Sequence, residues 1–184
     1  MVCCPQLALV RGEPAELPPR QGPQTREQCT TGHGHLIVSC YTTNSPEETT
    51  ALGRGLARDT RPPCLVVLEG ELGSGKTTLV KGIVAGLGAG PEEEVHSPSF
   101  ALVHEYGHER KVYHVDLYRV EGGARELGTL GLGELVDQEA TVLVEWGEKL
   151  GDLGLVPQVR IRLEHLEGDA RRITVERLDD TMLA

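Results

Sequence analysis

Basic charge is in short supply here: 18 Lys and Arg stand against 28 Asp and Glu, a formal net charge of −10. A protein that grips a nucleic-acid backbone unaided carries a basic face. Tight binding of RNA or DNA by this chain alone is therefore not expected, although a local basic patch stays open. Long apolar runs are missing too. No stretch approaches the ~18 uninterrupted apolar residues of a membrane-spanning helix, so no membrane association is expected. The short apolar run within residues 1–10 has no basic segment ahead of it, which argues against a secretory signal. The five cysteines, Cys3, Cys4, Cys29, Cys40 and Cys64, include no Cys-x-x-Cys pair and match no zinc spacing. They read as reduced thiols of a cytoplasmic protein. Aromatic residues make up 3%, and no internal repeat is present.

What is there changes character along the chain. Residues 1–34 hold Pro5, Pro14, Pro18, Pro19 and Pro23 among polar residues and keep no helical or strand period. They read as a disordered extension. A first strand is expected over 35–41. Ser45, Pro46 and Glu48 form an N-cap, a first-turn proline and a capping-box acid, predicting a helix from 46 to about 58. The run Cys64-Leu65-Val66-Val67-Leu68 suits a strand buried on both faces of an α/β sheet. A helix over about 76–87 follows, ending near Gly88. Strands are expected over 100–106 and 111–118 around a hairpin turn, and short helical pieces over 124–130 and 132–136. Another buried strand is expected over 141–145, then a final hairpin, 159–165 with 172–177. The domain thus runs over 35–178, with a short tail at 179–184.

Between the buried strand and its helix lies Gly70-Glu71-Leu72-Gly73-Ser74-Gly75-Lys76-Thr77. It matches the phosphate-cradling pattern Gly-x-x-x-x-Gly-Lys-Ser/Thr in the strand–loop–helix context that pattern requires. Gly70, Gly73 and Gly75 let the backbone N–H groups turn inward. The helix start offers further free N–H groups and partial positive charge. Lys76 would reach the β- and γ-phosphates, Thr77 would give its hydroxyl to Mg²⁺, and Thr78 would support the α-phosphate. The expected ligand is ATP with Mg²⁺.

Hydrolysis also needs a carboxylate near metal and water. Asp116 and Glu145 each end an apolar stretch where α/β sheets place ligands; either could instead be a solvated strand end. Trp146, the only Trp, is either core packing or an exposed aromatic facing nucleotide or partner. Ser97 and Ser99 lie in a loop that is either a plain turn or a mobile sensor of γ-phosphate and metal. His104, His108 and His114 do not sit at metal-ligand spacings with one another.

These segments together resemble the bacterial TsaE (YjeE) family. The resemblance rests on Ser-Pro-Glu-Glu-Thr at 45–49 with Leu52-Gly53, the loop with both threonines at 70–78, and Ser-Pro-Ser-Phe at 97–100 with Leu102-Val103. It rests most specifically on His-Val-Asp-Leu-Tyr-Arg at 114–119 and Leu-Val-Glu-Trp at 143–146. It covers roughly 36–178 and has no counterpart for the N-terminal extension. It implies an α/β, P-loop NTPase-like three-layer fold, with a mixed, largely parallel sheet and a C-terminal antiparallel hairpin. It implies that Thr77 and Glu145 serve Mg²⁺, that Asp116 sits in the nucleotide site and that Trp146 matters for activity. It further implies an ATPase, slow alone, that drives the TsaB–TsaD enzyme of threonylcarbamoyladenosine modification. tRNA would be met only through that complex, with Arg119 and Trp146 as docking anchors. Ser99 and Ser74 stand where the family usually has Thr and often has Ala.

Three other readings use the same loop. A small-molecule kinase would need an acceptor pocket and usually an Arg-rich lid, which the sequence between the loop and Glu145 does not show. A GTP switch would need an Asn-Lys-x-Asp segment, which is absent. A non-hydrolysing binding module would not need Asp116 or Glu145.

Overall fold

A computed structural model describes residues 27–29, 36–60, 62–121, 127–128, 130–136, 139–151 and 153–178. Its strands are β1 (Glu27–Cys29), β2 (Leu36–Thr43), β3 (Cys64–Glu69), β4 (Val103–Tyr106), β5 (Lys111–Asp116), β6 (Ala140–Glu145), β7 (Val159–His165) and β8 (Arg171–Leu178). The helices are α1 (Pro46–Leu56), α2 (Lys76–Gly86) and α3 (Leu132–Val136). The strands form one sheet in the order β1-β2-β8-β7-β3-β6-β5-β4. The centre is parallel, with β3 between β6 and β7 and β5 beside β6. Antiparallel pairs flank it on both sides. The sheet is mixed as expected, with its parallel part confined to four central strands.

The sequence explains this order. All six residues of β3 are buried, as are all six of β6, which only interior strands of a two-sided sheet can be. Leu65, Val66, Val67 and Leu68 have 0–1% exposure. At about 1.5–3 kcal/mol for each such side chain, β3 is a firm base for the loop that leaves it. Alternation then sorts side chains by face. Val66, Leu68, Val112 and Leu143 pack with α1 and α2. Leu65, Val67, Tyr113, Val115, Val142 and Val144 face the opposite cluster with Leu132 and Leu150.

α1 starts as the capping residues predict: Ser45 Oγ accepts from Glu48 N at 3.2 Å, and Pro46 opens the helix. Glu48 returns its carboxylate to Asn44 N at 2.8 Å, one residue before the cap. Such a cap is worth about 1 kcal/mol. α1 and α2 meet backbone to backbone. A Cβ on Gly53 would lie 2.4 Å from Leu79 O, and one on Gly82 2.0 Å from Thr50 O.

Several boundaries differ from expectation. The strand expected from residue 100 starts at Val103 because Leu102 takes a left-handed backbone, φ 63°. β5 stops at Asp116, whereas the apolar pattern ran on to 118. β2 runs on to Thr43 because its ladder with β8 continues to Arg171. Within the segment expected to be a disordered extension, Glu27–Cys29 pairs antiparallel with β2. Backbone ladders need no side-chain period, and three residues are too few to display one. The rest of 1–34, the tail at 179–184 and most of the piece expected over 124–130 lie outside the described residues. Among the described residues no helix is long and apolar enough to cross a membrane.

Candidate functional site

The loop 70–75 leaves the C-terminal end of β3 and enters α2. Gly70 has φ 140°, and a Cβ there would lie 2.3 Å from the Leu163 carbonyl of β7. Only glycine fits so close to a neighbouring strand. Gly75 caps α2 in the left-handed region, φ 101°, and contributes no side-chain cap. The first N–H groups of α2 therefore stay open to an anion. Ser74 Oγ is buried and unpartnered among the described residues. Leu72 stands out from the loop at 70% exposure. At the base of the loop, Glu69 is ion-paired with Arg160 and, at 3.2 Å, with Arg162, both on β7.

Lys76 is folded under the loop. Its Nζ donates to Gly70 O at 2.7 Å and Glu71 O at 2.9 Å and lies 3.9 Å from the Trp146 ring centroid. Burial pushes the ammonium below its usual pKa, against the opposing pull of Glu145, Glu148 and Asp116. Trp146 itself is half-buried, with a left-handed backbone, φ 63°. It packs against Tyr118 with centroids 5.1 Å apart. Trp146 is thus neither fully core nor fully exposed, and its ring lies against the loop lysine.

Register brings the two acids together. Asp116 pairs with Glu145 across β5 and β6. Both share strand parity with Val112 and Leu143, so they point to the face that carries α2. Asp116 and Glu145 are each 3% exposed. Thr77 Oγ1 donates to Glu145 Oε1 at 2.7 Å. His114 Nε2 lies 2.9 Å from the same oxygen. Asp116 turns its other side to the loop 97–99. Ser97 Oγ donates to its Oδ2, Ser99 Oγ donates to the same atom at 3.3 Å, and Tyr118 N donates to Oδ1 at 2.9 Å.

The structure thus joins Gly70, Glu71, Gly73, Ser74, Gly75, Lys76, Thr77, Asp116, Glu145, Trp146, Ser97 and Ser99 around one strand-end region. Thr78 follows in the first turn of α2, where its carbonyl lies 3.5 Å from Thr50 Oγ1. Arg119 lies outside this ring. It is exposed and stacks its guanidinium 4.3 Å from the Phe100 ring. Two contributors were not read from the sequence. One is His114, set aside because it makes no metal spacing; its period-2 relation to Asp116 was the available signal. The other is Lys149, whose Nζ donates to the Tyr118 and Val120 carbonyls and ties the end of β6 to the segment after β5. No sequence period marks it.

The donor set fits a hard cation held partly by phosphate. It offers one hydroxyl and two carboxylates, all oxygen, and among the described residues no cluster of three His, Cys, Asp or Glu could cage a metal alone. Mg²⁺ is commonly bound through one or two carboxylates plus substrate phosphates.

Residues 43–174 match the sequence profile of the family described as Threonylcarbamoyl adenosine biosynthesis protein TsaE. The chain belongs to the TsaE family. The Bacillus subtilis (strain 168) tRNA threonylcarbamoyladenosine biosynthesis protein TsaE is 35% identical over 135 residues, covering 73% of this chain and 82% of that protein. The Streptomyces coelicolor protein of the same name is 37% identical over 136 residues, covering 70% and 90%. A crystal structure of Bacillus subtilis YdiB superposes with a TM-score of 0.62 at 30% identity, covering 79% of this chain and 89% of that one. Membership places the chain in tRNA threonylcarbamoyladenosine biosynthesis and accounts for its P-loop fold.

Proposed function

We propose that the chain binds ATP with Mg²⁺ at residues 70–78, hydrolyses it slowly alone, and drives the TsaB–TsaD enzyme of threonylcarbamoyladenosine modification in the cytoplasm. One observation carries this reading: the 2.7 Å bond from Thr77 Oγ1 to Glu145 Oε1. It links the start of the loop helix to a strand-end acid, the pairing that a nucleotide-bound Mg²⁺ requires. The bound ion would supply charge neutralisation at the β- and γ-phosphates. Thr77 and Glu145 would hold it, and the loop N–H groups and Lys76 would hold the phosphates. Asp116 would orient water, with its alignment set by Ser97 and Ser99. tRNA would be met only through the partner enzyme, consistent with the net charge of −10.

The docking part of the reading is supported by the surface beside the site. Leu72, Phe100 and Tyr118 are 70%, 87% and 44% exposed. Exposed apolar side chains of this size are candidates for an interaction site, and Arg119 stacked on Phe100 adds a residue type common among interface anchors. The test is ATP turnover measured alone and with TsaB–TsaD, with a Phe100→Ala variant beside the wild type. Slow turnover alone that rises with the partner, and rises less for the variant, supports the reading. Fast turnover indifferent to both would overturn it.

A further inference from the structure

We infer that His114 is a positioning residue: its Nε2–H holds Glu145 in the orientation from which that acid serves the nucleotide's metal. The inference rests on the proposed role of Glu145 and deepens it.

His114 is the one His with 0% exposure among the described residues. It sits at mid-strand in β5, where register places it opposite Leu143 of β6. Shared strand parity and one further step along β6 bring its ring to Glu145. The contact is 2.9 Å to Oε1, with side-chain exposures of 0% and 4%. A fully buried polar ring needs a reason, since an isosteric apolar residue would pack there without a polar group to satisfy.

The other ring nitrogen identifies the tautomer. His114 Nδ1 is buried and has no partner among the described residues. An Nδ1–H would be a buried donor without an acceptor, which costs about 1–3 kcal/mol. A proton on Nε2 avoids that and is donated to Glu145 Oε1, an acceptor. Glu145 Oε1 then accepts twice, from the imidazole and from the Thr77 hydroxyl. Two donors on one oxygen, from β5 and from α2, hold Oε1 in place and leave the second oxygen without either donor. A histidine that orients a ligating carboxylate this way acts through it and touches neither nucleotide nor metal.

Two measurements test this. The first is ¹⁵N-histidine NMR of the intact protein, with the His114 signals assigned by their loss in His114→Gln. A proton on Nε2 is expected; a ring that carries its proton on Nδ1 alone would overturn the inference. The second compares His114→Gln, which keeps a donor near the Nε2 position, with His114→Asn, which shifts it toward Nδ1, and His114→Leu, which removes it. Thermal melting of each reports folding. Mn²⁺ affinity in the presence of ATP, followed by electron paramagnetic resonance, reports the metal site apart from turnover. Asn and Leu should weaken Mn²⁺ binding on the order of 10- to 100-fold and lower kcat, with little change in metal-free ATP affinity, while Gln restores most of both. Equal Mn²⁺ affinity in the wild type and in folded Asn or Leu variants would refute the role. If Leu does not fold, the Gln and Asn pair still decides. Failure of the wild type itself to bind ATP or Mn²⁺ would instead sink the proposed function, a different outcome from the variants failing to differ.

Discussion

Asp116 and Glu145 end neighbouring parallel strands, pair in register and are equally buried, yet they are held by different kinds of structure. Glu145 takes its bonds from a helix and a strand, Thr77 on α2 and His114 on β5. Asp116 takes side-chain bonds from Ser97 and Ser99, outside regular structure, and a backbone bond from Tyr118 N just past its own strand. Position in the sheet makes the two acids look interchangeable; their partners do not. An acid fixed by regular elements suits a metal, whose geometry must be ready in advance. An acid fixed by loop hydroxyls can be released or re-aimed when that loop responds to a ligand.

The comparison can be broken or sharpened in order of expected effect. Lys76→Ala removes the charge both acids face and should lower kcat/KM on the order of 10³-fold, with some loss of melting temperature because two loop carbonyls lose their donor. If turnover survives, neither acid belongs to a phosphate site. Glu145→Gln should reduce turnover on the order of 10²-fold and raise the Mg²⁺ concentration needed for half-maximal rate. Asp116→Asn should reduce turnover on the order of 10-fold or more with the Mg²⁺ requirement unchanged. Identical Mg²⁺ titrations for the two variants would erase the distinction. Ser97→Ala and Ser99→Ala should each slow turnover by about 5-fold, since both hydroxyls bond Asp116 Oδ2. Neither should alter Mg²⁺ dependence. Gly82→Ala would press a methyl group 2.0 Å from Thr50 O. It should cost about 2 kcal/mol by overpacking, read as a lower melting temperature. It displaces Thr77 with α2, so Mg²⁺ dependence should shift although residues 97–99 are untouched.

Much of this was legible beforehand, for physical reasons that can be named. The loop 70–77 is read from spacing, because glycine and lysine there answer to geometry more than to context. The uninterrupted apolar run of β3 forces an interior position, and α1 announces itself through Ser45, Pro46 and Glu48. What was not legible depended on register. That His114 meets Glu145 follows from β5 and β6 lying side by side, which no local pattern states. Residue type alone offers Trp146 either core packing or an exposed surface; its contact with Lys76 comes with a left-handed backbone that the sequence does not announce. The late start of β4 reflects the same kind of local reversal at Leu102. Residues 27–29 pair with β2, and three residues are too few for a sequence period to announce a strand.

The glycines between α1 and α2 act as a spacer of zero thickness. Side chains elsewhere cushion one element against another and let each drift by a rotamer's width. Here main chain rests on main chain at Gly53 and Gly82, so no side chain stands between the two helices at these points to absorb a shift. The start of α2, and with it the Thr77 hydroxyl, is thereby registered to the body of the protein like a part seated on a machined face. The segment 97–102 is held differently, by hydrogen bonds from Ser97 and Ser99 to Asp116 and between Leu102 O and Asp116 N.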